Sequence, residues 1–229
     1  MLQVSQLIGF DAGVSGVVPT MRGTPTVGSG NPTTTRTIAH TVDAANRNCL
    51  VVRLSFSDTV DTAAVTGITW NGTALTLGAE GRSTANADSA VGAIWYLVNP
   101  AVGSFNVVVT YNTDIDTDLV RCENWQDVNP ITPIGGTATD ARTSTDTVFT
   151  ANVTKTKTWS IVLGACAFSG TATGTPGTNV TEEIDVQVAG GALAQVAWLA
   201  KNTVNGNMSV TFTVSGPGGL AAAELNGDA

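Results

Sequence analysis

The sequence predicts an all-β protein, a jelly-roll-like antiparallel β-sandwich preceded by an extended N-terminal arm. Three observations carry that expectation. From Arg36 onward, short runs rich in Val, Ile, Thr, Phe and Trp recur at spacings of about 8 to 14 residues, the rhythm of a sandwich or barrel. Gly, Pro, Asn and Asp, the residues that turns need, stand between the runs. No segment sustains the helical period over about 12 residues.

Composition narrows the function classes. A single domain of 229 residues could bury roughly 70% of its unfolded surface, so a core is possible without staples. Only 12% of residues are charged, with a net charge of −8, which repels a phosphate backbone and excludes nucleic acid as a direct partner. No Lys/Arg run marks a membrane surface, and no apolar stretch approaches the roughly 18 residues of a membrane helix. Met1-Leu2-Gln3-Val4 lacks the basic start of a secretion signal, so folding in a cytoplasm is expected.

Residues 1–35 read as an arm. Leu2, Val4, Leu7, Ile8, Phe10, Val14, Val17 and Val18 supply apolar anchors, while Gly13, Gly16, Pro19, Gly23 and Pro25 interrupt any regular element. Those eight apolar residues are the candidate partner-binding set, because an arm too poor in apolar residues to fold alone gains order by lying on a neighbour; docking on its own domain is the alternative. Residues 36–229 read as one sandwich, with no linker dividing them. Thr37 to Val42 alternates, and Leu50, Val52, Leu54 and Phe56 share one face of the next strand. In Val65 to Leu77, Asn71-Gly72 calls for a type I′ turn with Trp70 facing Thr73. Val91 to Tyr111 reads as the central hairpin, turning at Asn99-Pro100-Ala101-Val102-Gly103, with strands apolar on both sides of the pleat. Leu119 to Trp125, Val148 to Val153, Trp159 to Phe168 and Val180 to Val188 follow as strands. Leu193 to Lys201 and Met208 to Val214 read as a last hairpin closed by Asn205-Gly206, before Leu220 to Leu225.

Chemistry-bearing residues are sparse. Cys49, Cys122 and Cys166 are far apart within or beside apolar runs and read as buried thiols, without the close Cys/His pairs of a metal site. His40, the single histidine, lies in an alternating strand and reads as structural. Asp114, Asp116 and Asp118 could offer oxygens to a hard cation, but Leu119 and Trp125 stand where an EF-hand loop would need Gly and Glu. Glu182, Glu183 and Asp185 could in principle supply a glycosidase pair. Trp70, Trp95, Trp125, Trp159 and Trp198 raise a sugar-stacking role, against which each sits among strand residues. The expectation is a protein that is not an enzyme, with no catalytic or metal-binding residues and no cofactor.

Three segments carry a resemblance: Ile68-Thr69-Trp70-Asn71-Gly72-Thr73-Ala74-Leu75-Thr76; Trp95-Tyr96-Leu97-Val98-Asn99-Pro100 with Gly103 and Val107-Val108-Val109-Thr110; and Trp125-Gln126-Asp127-Val128-Asn129-Pro130 with Pro133. In this order they resemble a β-sandwich domain of tailed-bacteriophage virion proteins, also found in some bacterial surface proteins. The likeness covers residues 37 to 225 and departs at the arm. A single copy with a gripping arm looks like a head decoration or cement protein. The resemblance implies a structural virion protein on the capsid exterior, made in the host cytoplasm, that binds the major capsid protein and copies of itself as a homotrimer. The rival expectation is a receptor- or glycan-binding module of a tail fibre or surface adhesin.

Overall fold

A computed structural model describes residues 16–83, 89–142, 146–189 and 194–228. Every regular element in it is a β-strand, and every pairing is antiparallel. The first half comprises β1 (Thr20–Gly30), β2 (Thr35–Val42), β3 (Cys49–Asp58), β4 (Val65–Trp70), β5 (Thr73–Ala74), β6 (Thr76–Ser83), β7 (Ser89–Val98), β8 (Gly103–Tyr111) and β9 (Thr117–Gln126). They form two sheets, β1-β9-β3-β7-β6 and β2-β8-β4-β5.

The second half repeats the plan. It comprises β10 (Ile134–Arg142), β11 (Val148–Asn152), β12 (Ser160–Ser169), β13 (Gly174–Pro176), β14 (Val180–Ala189), β15 (Ala194–Asn202), β16 (Asn207–Phe212) and β17 (Gly218–Asn226). Its sheets run β10-β17-β12-β15-β14 and β11-β16-β13. Apart from the two-residue β5, each strand has a counterpart in the same place, so the order is that of one unit used twice. The expected single sandwich over 36–229 is therefore two sandwiches, stacked through their five-stranded sheets.

Three apolar layers hold the four sheets. One, between the first half's sheets, gathers Leu50, Val52, Leu54, Phe56, Trp70, Val107 and Tyr111. Another, between the second half's sheets, gathers Phe149, Phe168, Trp198, Met208 and Phe212. The middle layer joins Val51, Ile94, Leu119 and Trp125 to Ile161, Leu163, Leu199 and Leu225. Strands β3, β9, β12 and β17 are accordingly buried on both faces along nearly their whole length. Glycines let the two inner sheets touch backbone to backbone: a Cβ on Gly92 would lie 2.1 Å from the Ala165 carbonyl oxygen, and one on Gly219 2.2 Å from that of Gly81.

The Asn71-Gly72 turn is as expected, with φ of 46° and 78° and Trp70 paired with Thr73. Neither larger hairpin exists. β7 and β8 lie in different sheets, β7 between β3 and β6 and β8 between β2 and β4, so the Asn99–Gly103 segment carries the chain across the sandwich. β15 and β16 are parted in the same way around Asn205-Gly206. Sequence adjacency suggested pairing, but strands apolar on both sides are better buried in the middle of an inner sheet than in a local pair.

The arm also differs from expectation. Thr20–Gly30 is the edge strand β1, hydrogen-bonded along β9 from Thr20↔Gln126 to Gly30↔Asp118, with a bulge between Arg22 and Thr26 where Gly23 takes φ of 66°. A Gly/Pro-rich edge strand tolerates such a bulge because one of its sides has no ladder to keep.

Candidate functional site: the seam where the N-terminal segment enters

Of the eight expected arm residues, Val17 and Val18 are described; Leu2, Val4, Leu7, Ile8, Phe10 and Val14 lie outside the described residues. Val17 donates its N–H to the Asp228 carbonyl at 2.8 Å, and both Val17 and Val18 are exposed. The fit around this bridge is close. A Cβ on Gly16 would fall 2.0 Å from the Trp159 ring, and one on Gly227 would fall 1.9 Å from the Val17 carbonyl oxygen. Asp228 donates to the Asp127 carbonyl at 3.1 Å and Asn129 to that of Asn226 at 2.9 Å. The entering segment, the C-terminal strand and the connection between halves thus meet at one seam.

The loop carrying Trp159 is held by a buried carboxylate. Glu224 accepts from the backbone N–H of Gly136 at 2.9 Å, Thr156 at 2.8 Å and Lys157 at 3.0 Å, and from the Ser160 hydroxyl at 2.6 Å. Burial pushes its pKa up, but these donors, the Ser160 hydroxyl foremost, outweigh it and hold the group below the ordinary value. Beside Val18 runs a groove of about 420 Å³, lined by Met21, Trp125, Ile161, Lys201 and Thr203.

Deeper in the seam lies an ionic cluster that composition did not reveal. Arg53 on β3 is fully buried; its Nε donates to Glu123 at 3.1 Å and its Nη2 to Glu183 of the opposite half at 2.7 Å. Its Nη1 donates to the Ala200 carbonyl at 2.8 Å. Arg121 pairs with Glu123 at 2.6 Å, Lys201 with Glu183 at 3.4 Å, and the Trp125 indole donates to Glu123 at 3.1 Å. Burial raises the Glu183 pKa, yet the charges of Arg53, Arg121 and Lys201 and the Arg53 hydrogen bond prevail and keep it depressed. Arg53, Arg121 and Glu123 occupy the strand faces that alternation assigns to solvent. The second half covers them, so local sequence held no sign of their burial.

The other candidate carboxylates are spent separately. Glu182 accepts from the Trp198 indole at 3.0 Å and Asp185 from the Gly174 N–H at 2.9 Å, so with Glu183 they point to three different partners. Asp118 turns inward, bound by the Arg36 guanidinium and by the Tyr111 hydroxyl at 2.7 Å, while Asp116 accepts from the Thr59 N–H at 3.1 Å. Among the described residues no group of three or more His, Cys, Asp or Glu could hold a metal ion. Trp70, Trp95, Trp125 and Trp198 are buried and Trp159 is half-buried beneath Gly16, so no tryptophan groove faces solvent among the described residues. Comparison with protein-family models, with curated proteins and with solved structures finds no match to this chain.

Proposed function

We propose that this chain is a structural virion protein, a bacteriophage capsid decoration protein that binds and stabilises the outer capsid surface as a homotrimer. The observation that carries the reading is the seam: the N-terminal segment is clamped at Gly16–Val17 between Trp159 and Gly227-Asp228, just after β17, which gives a tether a fixed attachment point on a block braced by buried ion pairs. A tether anchored this way adds main-chain pairing and small apolar contacts to a second contact surface, and the linkage raises effective concentration. The adjacency of the first and last strands in the broad sheet of each half supports a jelly-roll-like reading of the sandwich. The acidic net charge suits a capsid exterior, away from packaged genome.

The deciding experiment removes residues 2–15, leaving β1 in place. The truncated protein is expected to keep its β-type circular dichroism and its Tm within a few degrees, and to lose binding to purified capsids in co-sedimentation. Binding at the level of the full chain refutes the tether. The second reading, a receptor- or glycan-binding module of a tail fibre or adhesin, is favoured by a different feature, a polar cleft on the first half's outer sheet.

A further inference from the structure

A cleft of about 810 Å³ opens on the outward face of the β2-β8-β4 sheet, walled on one side by the β1 bulge at Gly23–Thr26 and on the other by the Asn71-Gly72 turn. Its size is within the roughly 300–1,000 Å³ of small-ligand sites. Hydroxyls and amides supply most of its lining: Thr24, Thr26, Thr41, Asn71, Ser104 and Asn106. Asp43 is the one ionised side chain in the lining, and no Lys or Arg contributes. Such a surface offers nothing to an anion and much to a neutral polyol.

The hydrogen bonds at the rear of the cleft set the polarity of what remains. Asn124 donates through Nδ2 to the Thr41 carbonyl at 2.7 Å, which turns its Oδ1 toward His40. His40 Nε2–H therefore donates to Asn124 Oδ1 at 3.1 Å, leaving Nδ1 as an acceptor that takes the Thr26 hydroxyl proton at 2.9 Å. With its proton committed inward, Thr26 Oγ presents only lone pairs to the cleft. Thr41 and Ser104 share a hydroxyl pair at 2.7 Å on the floor, and Asn106, exposed beside them, brings both a donor and an acceptor. Phe105, between Ser104 and Asn106, turns the other way, half-buried against the core and edge-on to Trp70 at 5.4 Å, and so stiffens the floor from beneath.

We propose that this cleft binds an uncharged oligosaccharide. Closely spaced donors and acceptors match neighbouring ring hydroxyls, and exposed Ala39 with half-buried Val108 on the same face gives the C–H groups of a sugar an apolar contact. The floor itself is the face of a sheet whose main-chain groups pair from β2 to β8 and from β8 to β4; at the edge of that sheet, β2, the Thr41 carbonyl is already taken by Asn124, which disfavours addition of a peptide strand there. The inference deepens the glycan-binding reading and is independent of the capsid tether.

The test is a microarray of neutral, sialylated and sulfated oligosaccharides, followed by calorimetry with the best neutral hit. The double variant Ser104→Ala/Asn106→Ala changes two exposed side chains and should fold normally. It is expected to weaken binding at least tenfold, while Thr211→Ala, exposed on the far outer sheet, should bind as the parent does. Neutral-glycan binding untouched by the double variant overturns the cleft but leaves a glycan-binding module standing. Binding confined to acidic glycans overturns the proposed ligand class, and no binding to any glycan overturns both cleft and module.

Discussion

Arg53 of the first half and Glu183 of the second meet at 2.7 Å in the middle of the molecule, joining two inner sheets whose strand order is the same. Glu183 is the extra residue at the bulge of β14 between Glu182 and Ile184, which is how an edge strand turns a carboxylate into the interface. Removing one partner of a buried pair leaves the other charged in a poorly solvating environment. Arg53→Met is expected to cost about 3–5 kcal/mol, because Glu123 loses its main counter-charge. Glu183→Gln should cost less, roughly 1–3 kcal/mol, since Arg53 keeps Glu123. Urea unfolding of both variants checks the order; an Arg53→Met protein as stable as its parent would show that the pair does not brace the halves.

Gly92→Ala probes the same interface by volume. The added methyl would sit 2.1 Å from the Ala165 carbonyl oxygen, which is main chain and cannot rotate away. Overpacking of this kind costs typically about 1–3 kcal/mol. Lower Tm and faster proteolysis between the halves are expected, and an unchanged Tm would contradict the close approach of the sheets.

His40 gives the stability a pH dependence with a definite sign. Burial is the largest influence and lowers its pKa from 6.5; the Asn124 hydrogen bond and the charges of Asp43 and Glu123 oppose it without prevailing. The folded protein therefore prefers the neutral ring. Its contribution is complete above the unfolded value and is lost as pH falls from about 6.5 toward the depressed folded value. Asp58, Asp118 and Asp185, raised chiefly by burial, act in the opposite sense. The informative quantity is therefore the difference between the parent and His40→Gln. The parent's advantage should shrink between pH 7.5 and pH 5, and an advantage that grows would reverse the assignment.

The three thiols should be silent in the native state. All are buried, and burial pushes Cys49 up to about 12 and moves Cys122 and Cys166 upward as well. Thiolate is the reactive form. Ellman's reagent should find no thiol in native buffer within minutes and three in denaturant; rapid native labelling of any one would locate an opening of the core.

Legibility differed sharply between elements. Trp70, Asn71, Gly72 and Thr73 were readable because a type I′ turn is decided by four neighbouring residues. Leu50, Val52, Leu54 and Phe56 share a face because side-chain alternation is local, and all four enter one core. The duplication left a trace: Trp95-x3-Asn99-x3-Gly103-x-Phe105-x-Val107 recurs in the same spacing as Trp198-x3-Asn202-x3-Gly206-x-Met208-x-Val210. Both copies mark the crossing from inner to outer sheet, the two places where adjacency wrongly suggested a hairpin.

The amino-acid order alone settled that the chain is all β, where most of its strands fall and how its tightest turn is built, since propensity, alternation and turn chemistry act over a few residues; the Gly/Pro-rich β1 and the Thr/Ala-rich β10 escaped it. Which strands pair, that two sandwiches stack through their broad sheets, and that Arg53, Arg121 and Glu123 are sealed between them were decided only in three dimensions. Those outcomes depend on contacts between residues far apart in the chain, such as Arg53 with Ala200, 147 positions away. No local pattern encodes them.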